Sequence, residues 1–186
     1  MIAPFDQAAT LGVVPVIAIE RSSDAVALAD ALLEGGLPLA EITFRTEAAA
    51  EVIAIMAEKR PELLVGAGTI LTPDALRAAI SAGARFGLAP GFDAEIVAAA
   101  KAKAAGGPSM LEAISAPFAH LGTRFVPTGG VSLDNMHEWL KLGAVAAVGG
   151  TWIATKADIG EGRWADITAK ARAAVARAKQ IREVTR

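Results

Sequence analysis

Glu41, Thr43 and Arg45 alternate within the run Leu39 to Arg45 (LAEITFR), a spacing that turns all three side chains to one face of a β-strand. If Ile42 and Phe44 pack beneath helices, that face is the inside of the fold. A carboxylate and a guanidinium placed there have two uses. They can brace the interior as a buried ion pair, or they can act as a general acid/base beside a bidentate grip on a substrate carboxylate. Two glycine doublets, Thr128-Gly129-Gly130 and Gly149-Gly150-Thr151, each close an apolar run. Amides bared by glycine can converge on an anion, phosphate above all, and the same doublets also serve as plain turns. Other candidates are bland. His120 and His137 have no acidic or histidine partner at metal-ligand spacing. Trp139, Trp152 and Trp164 read as packing residues, and no serine sits in a nucleophile elbow.

The elements that must position these groups alternate. Apolar, β-branched runs recur at Val13 to Glu20, Leu39 to Arg45, Leu63 to Thr69, Arg85 to Pro90, Arg124 to Gly130 and Ala144 to Thr151, and read as short buried strands. Helical segments lie between most of them. One opens at Ser22, Ser23 and Asp24 and stops at Gly35 and Gly36; another opens at Thr72, Pro73 and Asp74 and stops at Gly83; a third opens at Ser132 and Asp134 and stops at Gly143. An amphipathic helix from about 162 to 183 closes the chain, with Ile167, Ala171, Ala174, Val175, Ala178 and Ile181 on one face. Its basic residues read as a solvated face without function. Strand, helix, strand, helix predicts a parallel sheet with right-handed crossovers.

Composition supports one soluble domain over residues 1–186. The chain is 53% hydrophobic and 20% charged, with a mean hydropathy of +0.43, which excludes disorder. A net charge of −2 offers no footprint for nucleic acid or an anionic membrane, so neither is expected as a partner. Without cysteine there is no disulfide, thiolate nucleophile or cysteine metal cluster. The N-terminal stretch is unlike a signal peptide and no apolar run is long enough for a membrane helix, so the expected setting is the cytoplasm.

The rhythm has one defect. Successive strand starts are 26, 24, 22, 39 and 20 residues apart, and the 39-residue interval holds two helical patterns, Asp93 to about Lys103 and about Pro108 to Phe118, with no strand between. The few residues AAGG that join them span at most about 16 Å, too short and too poor in strand formers to return the chain across the sheet. At about 23 residues per unit the interval lacks about 30 residues, one strand, one helix and one more strand, and six strands plus two is the number that closes a (β/α)8 barrel. The fold expected is therefore an α/β chain of the TIM-barrel family with only six strand–helix units recognisable. A doubly wound sheet ranks second, because the loop after its first strand, Glu20-Arg21-Ser22, has no glycine. In a barrel the strand carboxyl ends build the site.

Five motifs then carry a resemblance: Glu41-Ile-Thr-Phe-Arg45-Thr-Glu, Val65-Gly-Ala-Gly-Thr69, Ala89-Pro90-Gly91, Pro127-Thr-Gly-Gly130 and Gly149-Gly-Thr-Trp152. In order, and at matching spacing except across the 39-residue interval, they resemble the KDPG (2-dehydro-3-deoxy-phosphogluconate) and 4-hydroxy-2-oxoglutarate aldolases. The resemblance implies a trimeric, metal-free and cofactor-free class I aldolase of the Entner–Doudoroff pathway. Such an enzyme splits a phosphorylated 2-keto acid into pyruvate and glyceraldehyde 3-phosphate through a lysine Schiff base. It further implies Glu41 as acid/base, Arg45, Thr69 and Pro90 as contacts to the pyruvate half, and Thr128, Gly129, Gly130, Gly149, Gly150 and Thr151 at the phosphate end. The lysine has no match, because the family carries it on the sixth strand, where this chain passes from Lys103 to Ala104-Ala-Gly-Gly-Pro108. Lys101 and Lys103 fall at a helix end on the amino side of the barrel, and Lys141 and Lys156 are expected to be no better placed. Three readings of the gap stay open: an interior piece present in the protein but not in this sequence, a true deletion, or a non-catalytic descendant that binds the phosphorylated ligand or is purely structural.

Overall fold

The computed structural model describes residues 4–88 and 124–185, together with Pro108 and Leu111. Four strands, β1 (Val13–Ile17), β2 (Leu39–Thr43), β3 (Leu64–Gly68) and β4 (Val148–Gly150), pair in the order β3-β2-β1-β4, every pair parallel. All four are buried along their whole length, as the near-continuous apolar runs require. Two further segments flank them. Gly87 bridges Ala67 beyond β3, while Phe125 and Thr128 bridge Val145 and Gly149 beyond β4, again in parallel. The six paths expected from the sequence thus lie side by side, in the order a barrel would have if opened between its fourth and seventh strands.

The two flanking runs are weaker strands than their composition suggests. From Arg85 to Leu88 the ladder to β3 is complete, with Arg85 N donating to Val65 O and Leu88 N to Ala67 O, but no described residue pairs on the other side. Along 124–130 Pro127 lacks an N–H and contact reduces to two bridges. Both are edges.

Two apolar layers sandwich the sheet. Val13, Ile17, Ile42, Val65 and Val148 point outward and pack beneath the helices, which supply Leu28, Leu32, Ile53, Met56 and Ile167. Val14, Leu39, Leu64 and Ala147 point inward with Phe86 and Val126. A helix not expected from the sequence, α1 (Pro4–Leu11), adds Ala8 and Leu11 to that inner cluster and plugs the amino end of the sheet.

The helix signals act largely as read. A 3-10 turn (Ser22–Asp24) leads into α2 (Ala25–Glu34), which stops at Gly35 with Gly36 at φ +72. Helix α3 (Ala49–Lys59) follows β2, and α4 (Pro73–Ser81) begins with the Thr72 hydroxyl accepting from Ala75 N at 3.1 Å. The third start is corrected. Helix α5 (Met136–Leu140) begins later, and Ser132 and Asn135 cap each other while Asp134 offers only its carbonyl to His137. A short α6 (Lys156–Gly160) precedes the closing helix α7 (Trp164–Thr185). Ile167, Ala171, Ala174, Ala178 and Ile181 of α7 are buried as expected. Its basic residues are not simply solvated: Lys170 binds Asp158, Arg172 reaches the Glu34 carbonyl and Arg182 the Ala146 carbonyl. Their long stems cross the gap to neighbouring elements while the charged ends find acceptors there. The helical pattern at 93–103 and, apart from Pro108 and Leu111, that at 108–118 lie outside the described residues, as do Lys101, Lys103, His120 and Pro90.

Candidate active site

Alternation along β2 places Leu39, Glu41 and Thr43 inward, because Ile42 and Phe44 join the outer core as expected. Glu41 pairs in register with Val16 of β1 and Gly66 of β3, and Thr43 with Gly68. The Thr43 hydroxyl donates to the Ile17 carbonyl at 3.0 Å and ties β2 to β1 at the carboxyl end of the sheet.

Glu41 is 7% exposed and has no hydrogen bond or ion pair to any described residue. The bracing ion pair is therefore not formed: Arg45, two residues past β2, is exposed and acts on Glu41 only through its charge. Burial pushes the Glu41 carboxyl up to about 7, against a smaller pull downward from the Arg45 guanidinium. A carboxyl with this value is half-protonated near neutral pH and can both take and return a proton. Beside it Thr69 leaves β3 at φ +58, a left-handed conformation that a β-branched residue rarely adopts and that marks a site held in shape by its surroundings.

The glycine doublets stand together at the carboxyl ends of neighbouring paths, yet their amides differ in availability. Gly149 N donates to the Pro127 carbonyl at 2.8 Å, so that amide is spent on the sheet. Its lack of a side chain serves Thr128 instead, whose Oγ1 and Cβ occupy the space a Gly149 Cβ would need. Gly150 is likewise hemmed in by Ile153 and Trp152. Gly129 (φ +99) and Gly130 (φ +69) are exposed with open space beside them, and Thr151 is exposed. An anion would meet these three rather than β4.

Sequence reasoning missed the anchor behind this end of the site. The Asp158 side chain is 4% exposed and receives Thr155 Oγ1 at 2.6 Å, Arg163 Nη2 at 2.8 Å and Lys170 Nζ at 2.6 Å, while Thr155 and Asp158 form a capping box that starts α6. Burial alone would raise its pKa, but these hydrogen bonds prevail and hold the carboxyl far below the usual range. The Thr-x-x-Asp spacing was the available signal. Asp158→Ala is expected to cost about 2 kcal/mol of stability in urea unfolding at pH 7, since it strands two cations and a cap. The folded pKa being depressed, this contribution is present above the ordinary 3.8 and is lost as pH falls below it.

Lysines are placed as follows. Lys59 ends α3, Lys141 follows α5, and Lys170 and Lys179 ride on α7 in ion pairs with Asp158 and Glu183. Lys156 corrects the expectation for it, since it stands at the carboxyl end of the sheet, where the loop after β4 returns. It is nonetheless exposed and bound to Glu20 at 2.6 Å. No described lysine belongs to a strand. His137 is exposed and all three tryptophans pack on the outer core, as expected.

Known proteins share both fold and sequence with this chain. The family described as KDPG and KHG aldolase matches residues 6–105 and 101–170. The 2-dehydro-3-deoxy-phosphogluconate aldolase of Pseudomonas aeruginosa is 39% identical, with 89% of this chain and 88% of that protein covered. That alignment runs over 196 positions, so about 30 of them have no residue in this chain. The KHG/KDPG aldolase of Escherichia coli K12 is 35% identical over 90% of this chain and 92% of its own length. A crystal structure of KDPG aldolase from Legionella pneumophila, with pyruvate captured as a covalent carbinolamine, superposes with a TM-score of 0.81 at 34% identity, covering 91% of this chain and 97% of that one. Inward Glu41 on a parallel barrel-type sheet, the ordered motifs and these matches agree: the chain belongs to the KDPG and KHG aldolase family.

Proposed function

We propose that the site is an aldolase site for 2-dehydro-3-deoxy-6-phosphogluconate, cleaving it to pyruvate and glyceraldehyde 3-phosphate, with Glu41 as the acid/base. The observation that carries this reading is a buried carboxyl held near 7 toward the carboxyl end of the sheet, with no hydrogen-bond partner among the described residues and under the charge of Arg45. Cleavage requires the C4 hydroxyl to lose its proton as the C3–C4 bond breaks, and the electron pair to pass into C2. Glu41 takes that proton and afterwards returns one to C3. Arg45 and Thr69 hold the carboxylate of the pyruvate half, with Pro90 lining it. Thr128, Gly129, Gly130 and Thr151 meet the phosphate, while Gly149 and Gly150 shape that end by leaving room.

The electron sink at C2 is the part that no described residue supplies from a strand. We place the corresponding lysine in a strand–helix–strand unit missing between Lys103 and Pro108. The 39-residue interval and the roughly 30 unmatched positions in the alignment support this. Intact mass tests it. A protein about 3 kDa heavier than 19.0 kDa contains the unit and turns over substrate, whereas one at 19.0 kDa binds pyruvate and phosphate without cleaving. In the latter, pyruvate titrated into labelled protein is expected to shift Arg45 and Thr69 resonances, and Arg45→Ala to weaken that binding at least about tenfold. Unchanged binding in the variant would reject the assignment of Arg45. The same family reading carries a cytoplasmic homotrimer, to be checked by sedimentation. Among the described residues no helix is long and apolar enough to cross a membrane.

A further inference from the structure

β3 turns two glycines toward the inside, and a different neighbour fills the space above each. At Gly66 a Cβ would run into the Phe86 ring; at Gly68 it would run into Glu41, whose Oε1, Cδ and Cγ are the three nearest heavy atoms. In register Glu41 stands opposite Gly66, not Gly68. Its side chain therefore leans one residue pair toward the carboxyl end, along the diagonal that long side chains can reach across a sheet. The Phe86 ring occupies the place directly opposite. Neither glycine has a positive φ, so backbone conformation does not demand glycine at either position. Space does.

We propose that Gly68 is a positioning residue for Glu41: its bare Cα is the seat on which the carboxylate lies, with Phe86 on Gly66 closing the lower position. This rests on the reading of Glu41 as the acid/base, and it extends that reading to the residue that sets where the proton is held. The strained turn at Thr69 follows at once and carries the chain away before another side chain can crowd the seat. A methyl group at position 68 lifts the carboxylate off the strand toward solvent and Arg45. Arg45 is the one charged group among the described residues that acts on Glu41; β1 presents Val16 beside it and β3 only glycines. Losing burial while keeping that cation lowers the carboxyl's affinity for a proton.

The test is a ¹³C NMR titration of the Glu41 carboxyl in the intact chain and in Gly68→Ala, paired with thermal unfolding of both in a Glu41→Ala background. The midpoint is expected to fall in Gly68→Ala from about 7 toward the ordinary 4.5. The melting temperature is expected to drop by several degrees when Glu41 is present and to change little when Glu41→Ala has vacated the space. An unmoved titration, or the same loss of melting temperature in both backgrounds, overturns the proposal, because a purely structural glycine would behave so. If Gly68→Ala alone does not fold, the Gly68→Ala/Glu41→Ala double variant is expected to fold, and its failure is likewise decisive against the seat. Failure of the aldolase reading registers elsewhere, as the absence of any pyruvate-induced change in the unmodified chain, and leaves the Glu41 titration as it is.

Discussion

Treated with pyruvate and borohydride, the 186-residue chain is expected to return its own mass unchanged. Reduction traps an imine only where an unprotonated amine meets the keto carbon, and every described lysine is on a helix or at a helix end, four of the five already held by a carboxylate: Glu58, Glu20, Asp158 or Glu183. Of the described lysines Lys156 alone stands at the carboxyl end, and it is exposed, bound to Glu20 and outside the inner face. Cleavage of the phosphorylated keto acid is accordingly expected to be slower than in a family member with the strand lysine by about 10⁴-fold or more, the scale of losing a covalent nucleophile. Grafting a strand–helix–strand unit that carries a lysine between Lys103 and Pro108 is expected to restore both trapping and turnover. A pyruvyl adduct on the unaltered chain would show that one of its seven lysines reaches the site after all, and peptide mapping would identify which.

The second large effect is a stability difference that depends on pH. Folding raises the Glu41 pKa from 4.5 to about 7, so the folded chain binds a proton more tightly than the unfolded one. The stability associated with the neutral carboxyl is full below about 4.5 and is lost as pH rises through about 7. Glu41→Gln keeps a neutral group of the same shape at every pH. It is expected to match the unmodified chain near pH 4.5 and to exceed it by about 3 kcal/mol at pH 9, where the buried carboxylate must be charged. Urea unfolding across this range measures the difference. A gap that stays constant with pH would mean that Glu41 titrates normally, and would remove the basis for its acid/base role. The carboxyl of Asp158, and that of Asp30 on α2, which hydrogen bonds from Arg60 hold below the ordinary value, act below this window and do not mask it.

Much of this was legible in the residues because it is local. The alternation of LAEITFR sets which side chains share a face, and hydrophobic burial then decides that the face with Ile42 points to the helices, so Glu41 had to point inward. Glycine, proline and threonine at helix ends act through bonds a few residues long, which is why the bounds of α2 and α4 follow their caps closely. The long interval before Arg124, which we propose to be a gap, is legible as well, since strand spacing is a count along the chain. The Ser132 and Asp134 start is less simple: 133–135 form a turn closed by reciprocal Ser132–Asn135 hydrogen bonds, and the regular helix begins only at Met136.

Tertiary structure decided what depends on neighbours far along the chain. That Glu41 and Arg45 do not pair, that the carboxylate rests on Gly68, and that Gly149 spends its amide on Pro127 are all facts about adjacent strands rather than about spacing. So is the junction at Asp158, where a cap, an arginine and a lysine from α7 converge. The identity of the residues determined the family and the inward carboxylate. Packing determined the carboxylate's proton affinity, because desolvation is a property of the whole surrounding volume, and several elements brought together from across the chain define that volume.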